Sequence, residues 1–208
     1  MQFDFTTLPA RDRYRLLTNF VGPRPIALVT TVNPDGTHNA APMSFFNVMS
    51  SEPPLLVLGI ASKPEQEKDT AANIRRTGEF AIHMVDRALS EAMLVAGLAV
   101  PSGVDELALA GVETEPCASI AAPRIMGASC VFECRTERLL DWPNRVLVIG
   151  EVVQMHVRRD CLDEAGRYVN PEVYQPIARL HGDNYVGSED QFVLTAPPLE
   201  DVFKGEGG

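Results

Sequence analysis

The sequence predicts a mainly β fold with inserted helices, built as one antiparallel barrel. Three observations carry this expectation. Two long β-rich segments, Ala128 to Leu139 and Arg145 to Val157, are separated by the turn Trp142-Pro143-Asn144. The apolar run Pro25 to Val32 leads into Asn33-Pro34-Asp35-Gly36, where Pro fixes φ and Gly accepts a positive one, so a hairpin follows. Helical segments fall between some strands but do not alternate with them regularly, which disfavours a parallel doubly wound sheet.

Along the chain, Asn39 to Phe46 continues the hairpin as its second strand. Leu55 to Ile60 is a third strand whose unbroken apolarity predicts burial on both faces. Lys63 to Arg76 reads as a helix, with Thr70 as N-cap, Ala71-Ala72 favouring the helix and Gly78 closing it. Glu79 to Val85 is a strand, and Leu89 to Val100 a helix stopped by Pro101-Ser102-Gly103. No repeat or Gly/Ser linker divides the chain. A single domain over residues 1–200 is expected, with a disordered tail over 201–208 around Gly205-Glu206-Gly207-Gly208.

Charge and composition narrow the function. The 208 residues include 18 basic and 28 acidic ones, a formal net charge of −10. The only adjacent basic pairs are Arg75-Arg76 and Arg158-Arg159, too short for a phosphate-backbone patch, so nucleic acid is not an expected partner. The longest stretch free of charged residues, Gly36 to Ser51, is too polar to span a bilayer. Met1-Gln2-Phe3-Asp4-Phe5 lacks the basic region and apolar run of a secretory signal. Cysteines stand at 117, 130, 134 and 161 without a CxxC pair, which points to reduced, buried thiols in a cytoplasmic protein.

The chemistry-bearing motifs are conspicuous by what is missing. Neither a P-loop nor a dinucleotide-binding glycine fingerprint is present. Ser129 lacks the second glycine of a nucleophile elbow, and His38, His83, His156 and His181 have no metal-ligand spacing. No catalytic nucleophile, acid–base residue or metal ligand is therefore expected.

Four segments remain as candidates. In Gly36 to Phe46, Ala40 and Ala41 are small enough for a flat ring to approach the backbone, while Asn39 and Ser44 offer hydrogen bonds. Pro42 removes a ladder donor and places that strand at an edge or bulge. Lys68-Asp69-Thr70 puts a cation and a hydroxyl beside the positive end of a helix, an arrangement suited to a phosphate monoester. Pro23 and Pro25 hold Arg24 in extended backbone at a strand entrance. Ala178 to Tyr185 is a polar, glycine-broken segment with two rings, His181 and Tyr185. Each has a plain structural alternative: a hairpin edge, a solvated Lys beside a routine cap, an arginine in a loop salt bridge, and a surface loop.

In order and spacing these segments resemble the flavin reductase-like, FMN-binding split-barrel family. The resemblance is carried by Gly22 to Thr31, Asp35-Gly36, Asn39 to Asn47, Ser50 to Val57, Lys68-Asp69-Thr70 with Asn73-Ile74, Thr77 to Phe80, Pro101 to Leu107, Ala110 to Val112 and Arg179 to Tyr185. It implies a homodimeric, antiparallel split β-barrel that binds FMN and accepts hydride from NADH or NADPH, with reduced flavin passing to a partner monooxygenase. Carried over by residue, Lys68 and Thr70 would hold the FMN phosphate, with Ser50, Ser51 and Asn73 nearby. Asn39, Ala41, Pro42 and Ser44 would line the ring and ribityl chain, and Arg24 and Thr31 would close the ribityl-phosphate side. His181 and Tyr185 would cover the ring or meet the nicotinamide. Leu28 and His181 depart from the family's common aromatic and glycine, and both touch the ring and nicotinamide side. The resemblance leaves room for a flavin-binding electron carrier or sensor without nicotinamide activity. An oxidase of a phosphorylated amine would need a further basic cluster beyond Lys68 and Arg24.

Overall fold

The computed structural model of the chain describes residues 1–61, 65 and 67–199; the expected tail lies outside them. The elements in order are α1 (Ala10–Phe20), β1 (Arg24–Pro25), β2 (Ala27–Val32), β3 (His38–Met43), β4 (Phe46–Ser51), β5 (Pro54–Ala61), α2 (Asp69–Thr77), β6 (Glu79–Met84), α3 (Ser90–Ala96) and α4 (Glu106–Leu109). There follow β7 (Thr114–Pro116), β8 (Pro123–Ile125), β9 (Cys130–Trp142), β10 (Arg145–Val157), a single 3-10 turn at Arg159–Cys161, β11 (Ala178–Arg179) and β12 (Tyr185–Val186). Seven strands form one antiparallel sheet in the order β3-β2-β6-β9-β10-β5-β4. The fold is thus the mainly β architecture that the sequence predicts.

The two edges of this sheet are one stretch of chain. Residues 38–43 pair with β2, and residues 46–51 pair with β5. The ladder to β5 begins at Phe45, whose carbonyl accepts the Gly59 amide at 2.7 Å. A strand expected to run unbroken from Asn39 to Phe46 therefore bends at Ser44 and changes partner. Before the bend β3 pairs only with β2 and not with β5, which leaves a split between these two strands.

The barrel interior is filled by alternate residues of its strands: Ala27 and Val29 from β2, Leu56, Leu58 and Ile60 from β5, Phe80 and Ile82 from β6, Val146 and Val148 from β10. Helix α2 closes one end by adding Ala71 and Ile74 to this core. A second core on the outer face of β2 packs Ile26 and Leu28 against Met93 and Ala96 of α3, Leu107 of α4 and Ile125 of β8. Gly150 marks how tightly the interior is packed, since a Cβ there would lie 2.4 Å from Cζ of Phe80.

Several expectations meet the structure differently. β5 is buried on one face only: Leu56, Leu58 and Ile60 point inward, while Leu55 and Val57 are half-buried because no described element covers the outer side. The helix around Thr70 starts at Asp69 with Lys68 as its N-cap residue, and no side chain caps it. Thr70 lies inside its first turn and spends its hydroxyl elsewhere. Gly78 does close that helix, in the left-handed region at φ 70°. The helix expected over Leu89 to Val100 is shorter, because the chain leaves it at Gly97, where a Cβ would come within 3.2 Å of Pro42. Helix α1 has no counterpart among the expectations. Its sequence, ARDRYRLLTNF, is predominantly polar and gives no long apolar stripe.

Candidate functional site

The split holds a cavity of about 490 Å³, walled by residues Asn39–Phe45 on one side and Gly59–Ala61 on the other, with Lys68–Thr70, residues 96–100, Glu106 and Arg145 around its rim. A second cavity of about 500 Å³ adjoins it across Pro42, Met43 and Ser44, and is lined by Tyr14, Arg24, Met93, Arg179 and Tyr185 among others. Each is within the size range of small-molecule sites, roughly 300–1,000 Å³.

Edge strand β3 forms the shared wall. In an antiparallel pair, alternate residues turn their backbone groups away from the partner strand. Ala40 is such a residue, because its amide donates not to β2 but to Oε2 of Glu106 at 2.9 Å. Pro42, two residues on, occupies the next outward position, where a missing N–H costs no ladder bond. From Ala40 to Pro42 the outward edge of β3 therefore presents no unpaired donor and keeps the Ala40 and Pro42 carbonyls as acceptors. Glu106 is itself 8% exposed. Burial pushes its carboxyl up from the usual range, the Ala40 amide opposes this, and nearby Asp69 and Asp105 add to the rise.

Below the cavity floor lies a buried polar chain that explains several sequence candidates. Asn39 donates its side-chain amide to Thr31 Oγ1 at 3.1 Å and to Thr70 Oγ1 at 3.0 Å. Asn73 donates to the same Thr31 hydroxyl at 3.0 Å and to Asn33 Oδ1 at 2.8 Å. Thr31, Asn39, Thr70 and Asn73 are all at most 3% exposed. This network locks helix α2 to the β2–β3 hairpin and sets where Lys68 and the first turn of α2 stand. Of the four, Asn39 and Thr70 reach the cavity surface; Thr31 and Asn73 act from beneath.

The sequence candidates thus separate. Asn39, Ala41, Pro42, Ser44, Lys68 and Thr70 line the cavity in the split. Arg24 and Tyr185 line the adjoining one together with Pro42 and Ser44. The Arg24 guanidinium is largely committed: it donates to the carbonyls of Thr18, Val21 and Leu180 at 2.7, 2.7 and 2.8 Å, and more weakly to Ser44 Oγ at 3.4 Å. It fastens the end of α1 and the 180 loop to the bend. Tyr185 carries the Arg179 guanidinium over its ring at 4.6 Å. His181 is exposed and lines neither cavity. Ser50 and Ser51 lie at the far end of β4, opposite Leu55 and Pro54, away from both.

Sequence reasoning missed Tyr14, Glu106, Arg145 and Arg179. Tyr14 stacks on Phe45 with centroids 6.2 Å apart and borders both cavities. The signal for Arg145 was its place directly after the Trp142-Pro143-Asn144 turn, which projects it from a hairpin end. Among the described residues no cluster of His, Cys, Asp and Glu could hold a metal ion.

Comparison with known proteins agrees with this architecture. Residues 22–178 match the flavin reductase like domain family. The solved structure of 2-nitrobenzoate 2-nitroreductase NbaA from Pseudomonas fluorescens is 36% identical, with a TM-score of 0.87 over 96% of this chain and 98% of that one. Nitrilotriacetate monooxygenase component B from Bacillus cereus is 32% identical, with a TM-score of 0.88 over 93% of this chain and 98% of that one. Flavoredoxin of Desulfovibrio vulgaris, at 20% identity and a TM-score of 0.74 over 94% and 97% of the two chains, shares the fold. An uncharacterized protein of Bacillus subtilis, YwrF, is 35% identical over 94% of this chain and 98% of its own length. A flavin reductase like domain thus takes up most of the described fold, and the chain belongs to that family of split-barrel oxidoreductases.

Proposed function

We propose that this protein is an FMN-dependent flavin reductase that takes hydride from NADH or NADPH. The observation that carries the reading is the pairing, in one cavity, of a cation at a helix N-terminus with an edge strand whose outward backbone offers acceptors. The donor set fits a flavin mononucleotide. Lys68 and the uncapped amides of the first turn of α2 suit a phosphate dianion. Asn39, Ala41, Pro42 and Ser44 offer a narrow wall of small and polar groups to a ring and its polyol chain. Flavin, when bound, supplies the electronics of hydride acceptance at its ring nitrogen N5.

The work left to the chain is binding, orientation and exclusion of water. Lys68 and α2 anchor the phosphate, and the Thr31–Asn39–Thr70–Asn73 network holds that anchor at a set distance from β3. Glu106 keeps β3 in place through the Ala40 amide. The adjoining cavity, with Tyr185 and Arg179 on its wall, gives the nicotinamide an approach across Pro42–Ser44. No acid–base residue is required of the protein for that transfer.

Two further readings go with this one. The outer face of β4 and β5 exposes Val48 and Met49 and half-exposes Leu55 and Val57, which supports a homodimer. Passage of reduced flavin to a partner monooxygenase is supported by the likeness to a monooxygenase component B. The four cysteines are free thiols, three of them buried, which supports a reducing, cytoplasmic setting.

The test is anaerobic addition of NADH or NADPH to protein supplied with FMN, followed at the flavin band near about 450 nm. Bleaching at catalytic protein levels is the expected outcome. FMN binding without bleaching by either nucleotide would favour an electron carrier. Lys68→Ala is expected to weaken FMN binding by about 1.5–3 kcal/mol, the value of a charged hydrogen bond. Unchanged affinity in a fluorescence titration would remove the phosphate assignment.

A further inference from the structure

Arg145 opens β10 directly after the Pro143–Asn144 turn, and its backbone pairs with Ala61 at the end of β5. Its side chain turns back toward the bend. Nη1 donates to the Gly59 carbonyl at 3.1 Å, and the guanidinium carbon lies 5.0 Å from the centroid of the Phe45 ring. Phe45 in turn stacks with Tyr14, so a ladder of two aromatic rings and one guanidinium borders the bend end of the cavity. Glycine at 59 permits this closeness, since a Cβ there would sit 3.2 Å from Cβ of Phe45. A guanidinium has several N–H donors, and the Gly59 carbonyl takes one of them. Among the described residues no carboxylate pairs with Arg145.

The charges of the cavity are distributed unevenly. Lys68, Asp69 and Glu106 stand toward the Asn39–Ala40 end, through the Thr70 and Glu106 contacts with β3. At the bend end Arg145 is the one charged side chain among the described lining residues. The two ends are separated by the extended run from Asn39 to Phe45, at most about 20 Å at roughly 3.3 Å per residue. On the flavin reading, a ligand with its phosphate at Lys68 and its ring along Pro42 and Ser44 brings that ring to the bend end, where Arg145 stands.

We propose that Arg145 is the ring-end cation of this cavity and selects the reduced, anionic form of the bound flavin over the oxidised, neutral one. The inference rests on the flavin reading above. Reduction of the ring by two electrons and one proton leaves it with one negative charge, which a nearby guanidinium attracts in a partly desolvated site. An interaction made by one redox form alone shifts the potential of the bound flavin. Arg145 therefore acts on the driving force of hydride uptake and on how firmly reduced flavin is retained.

The experiment measures dissociation constants of oxidised and dithionite-reduced FMN, and the midpoint potential of the complex, for wild type, Arg145→Gln and Arg145→Lys. The same measurements are made with riboflavin, which lacks the phosphate. Arg145→Gln is expected to weaken binding of reduced flavin at least tenfold more than oxidised. For a two-electron couple, that tenfold lowers the midpoint by about 30 mV. Arg145→Lys keeps most of the preference, and the effect persists with riboflavin. Equal weakening of both redox forms would overturn the proposal, as would a loss seen with FMN and absent with riboflavin, which would make Arg145 a phosphate ligand. Wild-type protein that fails to bind FMN would remove the parent reading and this inference together. Wild type that binds FMN, beside an Arg145→Gln variant with an unchanged redox preference, would remove this inference alone.

Discussion

His83 makes the stability of this fold pH-dependent. It lies on β6 with no exposed surface, and its ring bridges three elements. Nδ1 donates to the Leu28 carbonyl of β2 at 3.0 Å, while Nε2 accepts the Ile125 amide of β8 at 2.9 Å. The Ile125 bond requires an unprotonated Nε2, so the native ring is neutral. Burial, opposed by the Leu28 carbonyl and aided by Arg124, lowers its pKa from 6.5 to about 4. In the unfolded chain the ring binds its proton at the ordinary pKa. Between these two values the unfolded state holds more protons than the folded one, so stability falls as the pH falls. The His83 contribution is fully present above about pH 6.5, declines through that window and levels off below about pH 4. At about 1.36 kcal/mol per pKa unit, the loss amounts to about 3 kcal/mol. Urea unfolding of wild type and His83→Gln, followed by circular dichroism from pH 7 to pH 4, isolates this contribution, because the carboxylates common to both proteins cancel in the difference. The wild-type advantage is expected to shrink by about that amount toward acid. A difference that stays constant across the range would refute the neutral, two-bond histidine.

Other consequences can be checked in the same way. Gly150→Ala drives a methyl group to within 2.4 Å of the buried Phe80 ring, and overpacking of this kind is expected to cost about 1–3 kcal/mol in a thermal or urea melt. Near-neutral behaviour would mean that Phe80 can move aside. Asn73→Ala removes two buried hydrogen bonds and leaves Asn33 without that donor, a destabilisation of about 1–3 kcal/mol. Because Asn73 stands beneath the cavity and not on its wall, FMN affinity in that variant should drop less than in Lys68→Ala; a larger drop would place Asn73 in direct contact with the ligand.

Much of this protein is written locally. The β2–β3 hairpin follows from Asn33-Pro34-Asp35-Gly36, with Gly36 at φ 87°, and the β9–β10 pair from two β-rich runs around a short turn. Pro42 announces an edge by lacking a donor. The wall residues Asn39, Ala41, Pro42 and Ser44, and Lys68 at its helix start, are legible because each depends on its near neighbours in sequence. What tertiary structure decided is which local pieces meet. Ser44 gives no local sign that the strand there leaves β2 for β5, since that exchange depends on how the whole sheet curls. Thr70 looks like a cap by sequence, but Asn39, 31 residues away, takes its hydroxyl. Ser50 and Ser51, which the resemblance sets near a phosphate, follow the bend to the far end of β4 and line neither cavity of this chain. Glu106 and Arg145 reach the cavity only because α4 packs on β3 and because β10 is registered against β5. Short-range steric and hydrogen-bonding preferences shape the strands and turns; long-range ladder register and packing bring Lys68, Glu106 and Arg145 around one opening.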